Sequence, residues 1–455
     1  MKAASRILLA TALCVALPLG LAACGGGGGG GSTTSSTATA GTSPAGVSTA
    51  GGAGASSSGA SSTGASSTGA SSTGTSSTGS SSSGSSSTGS GGSSSTSPPA
   101  VTAANQVALL VEQNPDVSSF VTANMPYVTL SVCDAAGHCD QVDHVLLDTG
   151  STGLRIFAAD LPGLSLPTVS TTAGAPAGEC ASFLSGYMWG PVRQATVEIG
   201  GETAQVPIQV VADGSFAPVP KSCSSTNLQG YTSENGTGGL GAKGILGVDV
   251  FPTDGQSYYG CNGSSCTSGF VSQQVANVVD GFAADNNGII ITMPSVSASG
   301  QASAQGTLTF GVDTRSDNQQ AGYSLLQEDI SGSIDVTMNG SSYQRSVVDS
   351  GSNFYFLNMP SGTPTSGGFL DPAQATTYPT VLSSNVVATQ SLSTSIEIDP
   401  YRNVSGDAVD PNTGVPFNSP GEQILGMPYF YGRSIAWTYM GKQSLEGSGP
   451  LIAFH

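Results

Sequence analysis

Hydrophobic and polar positions alternate in short runs through residues 100–455, with period two far more often than with the three-to-four spacing of an amphipathic helix. Tyr127-Val128-Thr129-Leu130-Ser131-Val132, Ala195-Thr196-Val197-Glu198-Ile199 and Thr307-Leu308-Thr309-Phe310 alternate and Gly288-Ile289-Ile290-Ile291-Thr292 is a short apolar run, all bounded by Gly, Asn, Asp and Pro. The pattern predicts a mainly β protein with enough chain for two lobes of ordinary domain size. Helix signals are few, the best being about Phe270 to Phe282.

Two of the apolar runs end in the same way. Val145-Leu146-Leu147 leads into Asp148-Thr149-Gly150-Ser151, and Ser346-Val347-Val348 leads into Asp349-Ser350-Gly351-Ser352. In each, a strand delivers an aspartate to a tight turn, where glycine relaxes the backbone and the hydroxyls can hydrogen-bond the carboxylate or the turn. One such turn alone is ordinary. Here, however, an apolar-apolar-Gly segment follows each of them, Gly244-Ile245-Leu246-Gly247 and then Gln423-Ile424-Leu425-Gly426. If a pseudo-twofold relates the copies, Asp148 and Asp349 approach closely enough to share one proton, because two carboxylates at such range do not both ionise cheaply.

This repeated order resembles the pepsin-like family of bilobed aspartic peptidases, and within it a subgroup of bacterial lipoproteins of uncharacterised function. The resemblance covers most of residues 120–455. It implies two six-stranded-type β-barrel lobes around a central cleft, a first lobe over 100–305 carrying the first Asp loop and a second over 306–455 carrying the other. It further implies that Asp148 and Asp349 hold the lytic water, one as general base and the other, protonated, polarising the scissile carbonyl. Ser151 and Ser352 then bond the outer carboxylate oxygens, Thr149 and Ser350 lock the loops to each other, and Gly150 and Gly351 let backbone amides point at the carboxylates. A flap over the cleft, with Phe183, Ser185 and Gly186 in it, is expected at Ser182-Phe183-Leu184-Ser185-Gly186-Tyr187-Met188-Trp189-Gly190 followed by Thr196-Val197-Glu198-Ile199-Gly200-Gly201. Two positions depart from the pattern: the family's flap tyrosine falls on Phe183, and the tryptophan that braces it falls on Arg155. Two readings therefore stand. One is an aspartic endopeptidase acting on polypeptide; the other is a binding or surface-interaction module of the same fold without turnover.

The N-terminus adds a compartment. Lys2 and Arg6 precede an apolar run from Ile7 to Ala23, too short and too broken by Pro18 for a stable spanning helix, so residues 1–23 read as a signal peptide. Leu21-Ala22-Ala23-Cys24 resembles a lipobox, which makes Cys24 the lipidated first residue of the mature chain, and Gly25 rather than Asp after it implies the outer membrane, on its periplasmic or surface face. Residues 24–99 are nearly all Ser, Gly, Thr and Ala and contain no Lys or Arg. They read as a flexible tether with a reach of about 50 Å, and they lack the basic prosegment that occupies the cleft of pepsin-like precursors.

Charge and rare residues narrow the chemistry further. Without Lys2 and Arg6, nine basic residues face twenty-nine acidic ones, a net of −20, which excludes nucleic acid and direct adhesion to an anionic membrane surface. The expected partners are a polypeptide substrate or protein ligand, with membrane contact through the lipid only and the protein itself a monomer. Histidines number three, His138, His144 and His455, too few and too far apart for a zinc motif. No Gly-x-Ser-x-Gly elbow accompanies them, which removes a Ser-His-Asp device, and no metal or cofactor is expected. Gly236-Thr237-Gly238-Gly239-Leu240-Gly241 matches a dinucleotide fingerprint in letters only, since neither a strand before it nor a helix after it is evident. Six cysteines remain for the exported body. Cys133 with Cys139 and Cys261 with Cys266 flank short turn-like segments, and Cys180 with Cys223 is left by elimination.

Overall fold

The computed structural model describes residues 104–116, 123–224, 232–401 and 407–455. The signal segment, Cys24 and the 24–99 stretch lie outside them. Within the described residues the chain is mainly β and bilobed, and the four runs named above lie within strands.

A sixteen-stranded sheet contains the first lobe and takes in three strands of the second. Its strands include β1 (Gln106–Val111), β2 (Pro126–Cys133), β3 (Cys139–Asp148), β4 (Thr152–Phe157), β5 (Ala177–Ser182), β6 (Gly186–Ile199), β7 (Glu202–Val211), β8 (Gly244–Val248), β9 (Ser257–Asn262), β10 (Gly288–Thr292) and β11 (Ala304–Phe310). The second lobe supplies β12 (Ser324–Gln327), β13 (Ile334–Met338), β14 (Ser341–Val348), β15 (Tyr355–Leu357), β16 (Thr376–Ser383), β17 (Ser391–Ile398), β18 (Gly414–Pro416), β19 (Ile424–Leu425), β20 (Ser434–Thr438) and β21 (Leu451–Phe454). Seven of these form its own sheet, in the order β17-β16-β13-β14-β19-β15-β18. Alternation is clean where one face meets solvent: Ile334, Val336 and Met338 of β13 point inward while Asp335 and Thr337 are half-exposed. By contrast, β8 is buried at all five residues, as a strand covered on both faces must be.

The expected boundary between residues 305 and 306 falls inside β11, which pairs with β1 on one side and β10 on the other. The C-terminal strands β20 and β21 then extend that same sheet through β10, with Ile290 opposite Ala436 and Trp437 opposite Ile452. The lobes are thus joined by continuous sheet. One hydrophobic core runs through both, from Val145, Leu147 and Leu154 to Leu357, Ile396 and Leu425.

Two local expectations change. Residues 270–282 are not a helix: Val271 and Ala276 make isolated bridges to Thr171 and Thr253, and only Val279–Gly281 coils, into one 3-10 turn. Val275, Val278 and Val279 have helix-like spacing, yet they are buried in two different places, Val275 with Tyr258 and Val192, and Val278 and Val279 in the main core. The glycine run closes with a single helical turn, Thr237–Leu240, ended by Gly241 at φ 83°. His144 adopts φ 51° at a bulge where β3 shifts register against β2, so the alternation linking it to Asp148 is broken there. Its imidazole lies beside the Tyr127 ring, 5.0 Å between centroids.

All three expected cysteine pairs are disulfide-bonded: Cys133 to Cys139 across the β2–β3 tip, Cys180 to Cys223, and Cys261 to Cys266.

Candidate active site

Both aspartates end a strand that lies parallel to a two- or five-residue apolar strand behind it. Leu147 and Asp148 of β3 run beside Leu246 and Gly247 of β8, and Val347 and Val348 of β14 run beside Ile424 and Leu425 of β19. The chain leaving each turn returns antiparallel to the same inner strand, β4 to β8 and β15 to β19. The Ile-Leu-Gly segments are therefore the floor on which each turn sits. Their glycines are required by contact: a Cβ on Gly247 would lie 2.7 Å from the Ser151 carbonyl oxygen, and one on Gly426 would lie 2.1 Å from that of Phe354.

The two turns have matching hydrogen bonds. The Gly150 N–H donates to Asp148 Oδ1 at 2.8 Å and the Ser151 hydroxyl to Asp148 Oδ2 at 2.5 Å. The Gly351 N–H donates to Asp349 Oδ1 at 2.8 Å and the Ser352 hydroxyl to Asp349 Oδ2 at 2.6 Å. Each glycine also faces the opposite aspartate, since a Cβ on Gly150 would lie 2.6 Å from Asp349 Oδ1 and one on Gly351 2.4 Å from Asp148 Oδ1. Side chains larger than hydrogen are excluded there, and the two carboxyl groups face each other across that space. Thr149 and Ser350 cross-link the turns reciprocally, and their hydroxyls go on to the Val348 and Leu147 carbonyls at 2.9 and 2.8 Å.

Both aspartates are buried. Burial, and then the charge of Asp148, push the Asp349 carboxyl well above the ordinary carboxylate range, against the pull of the Ser352 hydroxyl and the Gly351 amide. Burial and the like charge of Asp148 thus favour a proton on Asp349. Beneath the turns, Thr149, Gly150, Asp249, Glu328 and Trp437 line a small cavity. Burial and the nearby Asp148 charge bring Asp249 up to about 7 despite a bond from the Val250 N–H, and burial with the neighbouring Asp249 and Asp329 charges holds Glu328 well above its usual range.

The expected flap is the β5–β6 hairpin. Ser182 pairs with Tyr187, and the Phe183 N–H donates to the Gly186 carbonyl at 2.8 Å, closing the turn that carries Leu184 and Ser185. Phe183 packs against a buried cluster that includes Tyr127, Leu146 and Met188. Glu234, which a purely local reading passes over, is buried, and burial raises its carboxyl to about 7 against the opposing pull of the Ser185 hydroxyl. Arg155, which stands where the resemblance expects a tryptophan, is fully buried between Glu179 and Asp254. Asp249 could have been found in sequence as the acid two residues past the first Ile-Leu-Gly. Glu179, Asp254 and Glu328 carry no local signal.

Residues 101–454 match the family described as a protein of unknown function, DUF3443. The chain belongs to that family. No curated protein matches the sequence. Among solved structures, the crystal structure of an aspartic proteinase from Irpex lacteus is similar over 77% of this chain and 96% of its own, with TM-score 0.45 and 15% identity.

Proposed function

We propose that this DUF3443 chain is an aspartic endopeptidase, anchored outside the cytoplasm by lipid at Cys24 and hydrolysing polypeptide with a water activated by Asp148 and Asp349. The carrying observation is the paired geometry: two carboxyl groups, each bonded by a glycine amide and a serine hydroxyl, facing each other across glycines. A water between them meets one carboxylate as base, while the protonated partner donates to the scissile carbonyl oxygen. Proton transfer from water to the base makes the nucleophile, and the proton held by the partner neutralises the charge developing on oxygen. The serine bonds fix both carboxylates before substrate arrives, which is where preorganised sites gain over water.

A second reading, a binding module without turnover, draws on Phe183, which offers no hydroxyl at the flap tip. Cleavage of an unfolded protein, followed across pH with Asp148→Asn and Asp349→Asn as controls, separates the two. Loss of cleavage in both variants supports the enzyme; absence of cleavage and of statine-type inhibitor binding in the native protein supports the module.

A further inference from the structure

Arg155 is among the largest fully buried side chains of the described residues, on β4 just past the first catalytic turn. A guanidinium has a planar fork of donors, and here the fork spans three parts of the chain. Nη1 donates to the Thr152 carbonyl at 2.8 Å, at the point where the Asp148 turn becomes β4. Nη2 donates to Glu179 Oε1 of β5 and to Asp254 Oδ2 of the β8–β9 connection, both at 2.7 Å. The Tyr258 hydroxyl of β9 donates to Asp254 Oδ1 at 2.7 Å and accepts the Val275 N–H at 2.7 Å, while Gln209 of β7 donates to the Glu179 carbonyl at 2.8 Å. Finally, the guanidinium carbon lies 5.7 Å from the Phe183 ring centroid, within cation–π range and away from water.

Buried ion pairs are weak devices for stability, because apolar residues of similar volume often serve as well. What this cluster provides is position. It ties the base of the β5–β6 hairpin, the tip of that hairpin and the exit of the Asp148 turn to one rigid group. Resting on the peptidase reading above, we infer that Arg155 is the positioning residue of the flap, setting the height of the Phe183 tip over the cleft by joining Glu179 and the Phe183 face to the first catalytic turn. The aromatic tip is then held from beneath by a cation, with no need of a tyrosine hydroxyl.

The test is amide hydrogen exchange of the full chain together with steady-state cleavage of an unfolded polypeptide, in Arg155→Lys and Phe183→Leu. Lysine keeps the charge but not the fork; leucine keeps the apolar body but not the ring. Exchange over residues 178–190 should rise on the order of tenfold or more in Arg155→Lys, with the second-lobe strands β13 and β17 unchanged. Cleavage should fall on the order of tenfold to a hundredfold in kcat/KM, more in KM than in kcat, because a loose flap loses its hold on substrate before the dyad loses its chemistry. If Arg155→Lys does not fold, Phe183→Leu decides, since it leaves the ion cluster intact and should show the same hairpin-confined rise. A folded variant of either kind whose hairpin exchanges as in the native protein overturns the assignment. Should the native protein not cleave at all, the exchange result still stands or falls alone, and only the peptidase reading is lost.

Discussion

Thr149 and Ser350, two hundred and one positions apart, hold each other by a reciprocal pair of hydrogen bonds: each backbone N–H donates to the other's hydroxyl, at 3.1 and 2.9 Å. The lobes thereby share one object at their centre, and neither aspartate turn can move without the other. Removing either hydroxyl leaves a buried N–H without an acceptor. Thr149→Val and Ser350→Ala should each lower stability by about 1–3 kcal/mol. In denaturant unfolding the double variant should lose less than the sum of the two, with a coupling of about 1 kcal/mol; strict additivity would show that the turns are not locked.

The pH dependence of stability follows from the buried acids. Glu234 and Asp249 are raised to about 7, and Glu179, Glu328 and Asp349 stand above their usual range, burial being the largest cause in each. A carboxyl raised in the folded state keeps a proton that the unfolded chain releases near pH 4, so its stabilisation is complete below that pH and is lost as pH rises through the folded value. Asp134, Asp143 and Asp213 are lowered instead, and their contribution fades only below about pH 4. Between pH 4 and 8 the raised group therefore sets the slope. Thermal unfolding should show Tm falling steadily from pH 4.5 to 8, and Glu328→Gln, neutral throughout, should flatten that fall. A Tm that climbs toward pH 8 would contradict this.

The disulfides differ in the length of chain they close. Cys180–Cys223 spans 43 positions and Cys133–Cys139 only 6. On the loop-entropy account these are worth about 4 and about 2 kcal/mol. Cys180 and Cys223 also pack with Trp189, Tyr187 and Tyr259, so their replacement by serine disturbs an aromatic cluster as well. Denaturant titration should rank Cys180→Ser/Cys223→Ser as the more damaging pair, and equal losses would count against the account.

What could be read in the sequence was what is local or repeated. Strands with period two, two Asp turns and two Ile-Leu-Gly floors each carry their signal within a few residues, and the turns' hydroxyls and glycines proved to be where each carboxylate is bonded. Long-range features stayed hidden. Arg155 lies 24 positions from Glu179 and 99 from Asp254, and a lone arginine on a strand gives no hint that it will be wholly buried. The lobe boundary was obscured because Ile435 and Ile452 return to the first sheet, which no local pattern marks. Val275, Val278 and Val279 imitated a helix because spacing alone does not reveal which surface each side chain meets.

The proposed export and lipidation rest on residues at the far N-terminus. Metabolic labelling with a radiolabelled fatty acid should mark the native protein, and Cys24→Ser should abolish the label and release the protein from membranes. Label retained in that variant would remove the anchor from the account.

The shared proton of Asp148 and Asp349 is the centre of the functional proposal, and the pH profile of cleavage tests it most directly. A dyad that works singly ionised gives a bell, with both flanks belonging to the pair and the maximum below neutrality. Asn is nearly isosteric with Asp and relieves repulsion, so Asp148→Asn and Asp349→Asn should each fold normally. The measurement is digestion of an unfolded protein from pH 3 to 7 by the native chain and both variants, with and without a statine-type inhibitor. The expected result is a bell-shaped, inhibitor-sensitive cleavage lost in each variant; cleavage that survives either substitution, or none at any pH with no inhibitor bound, would contradict it.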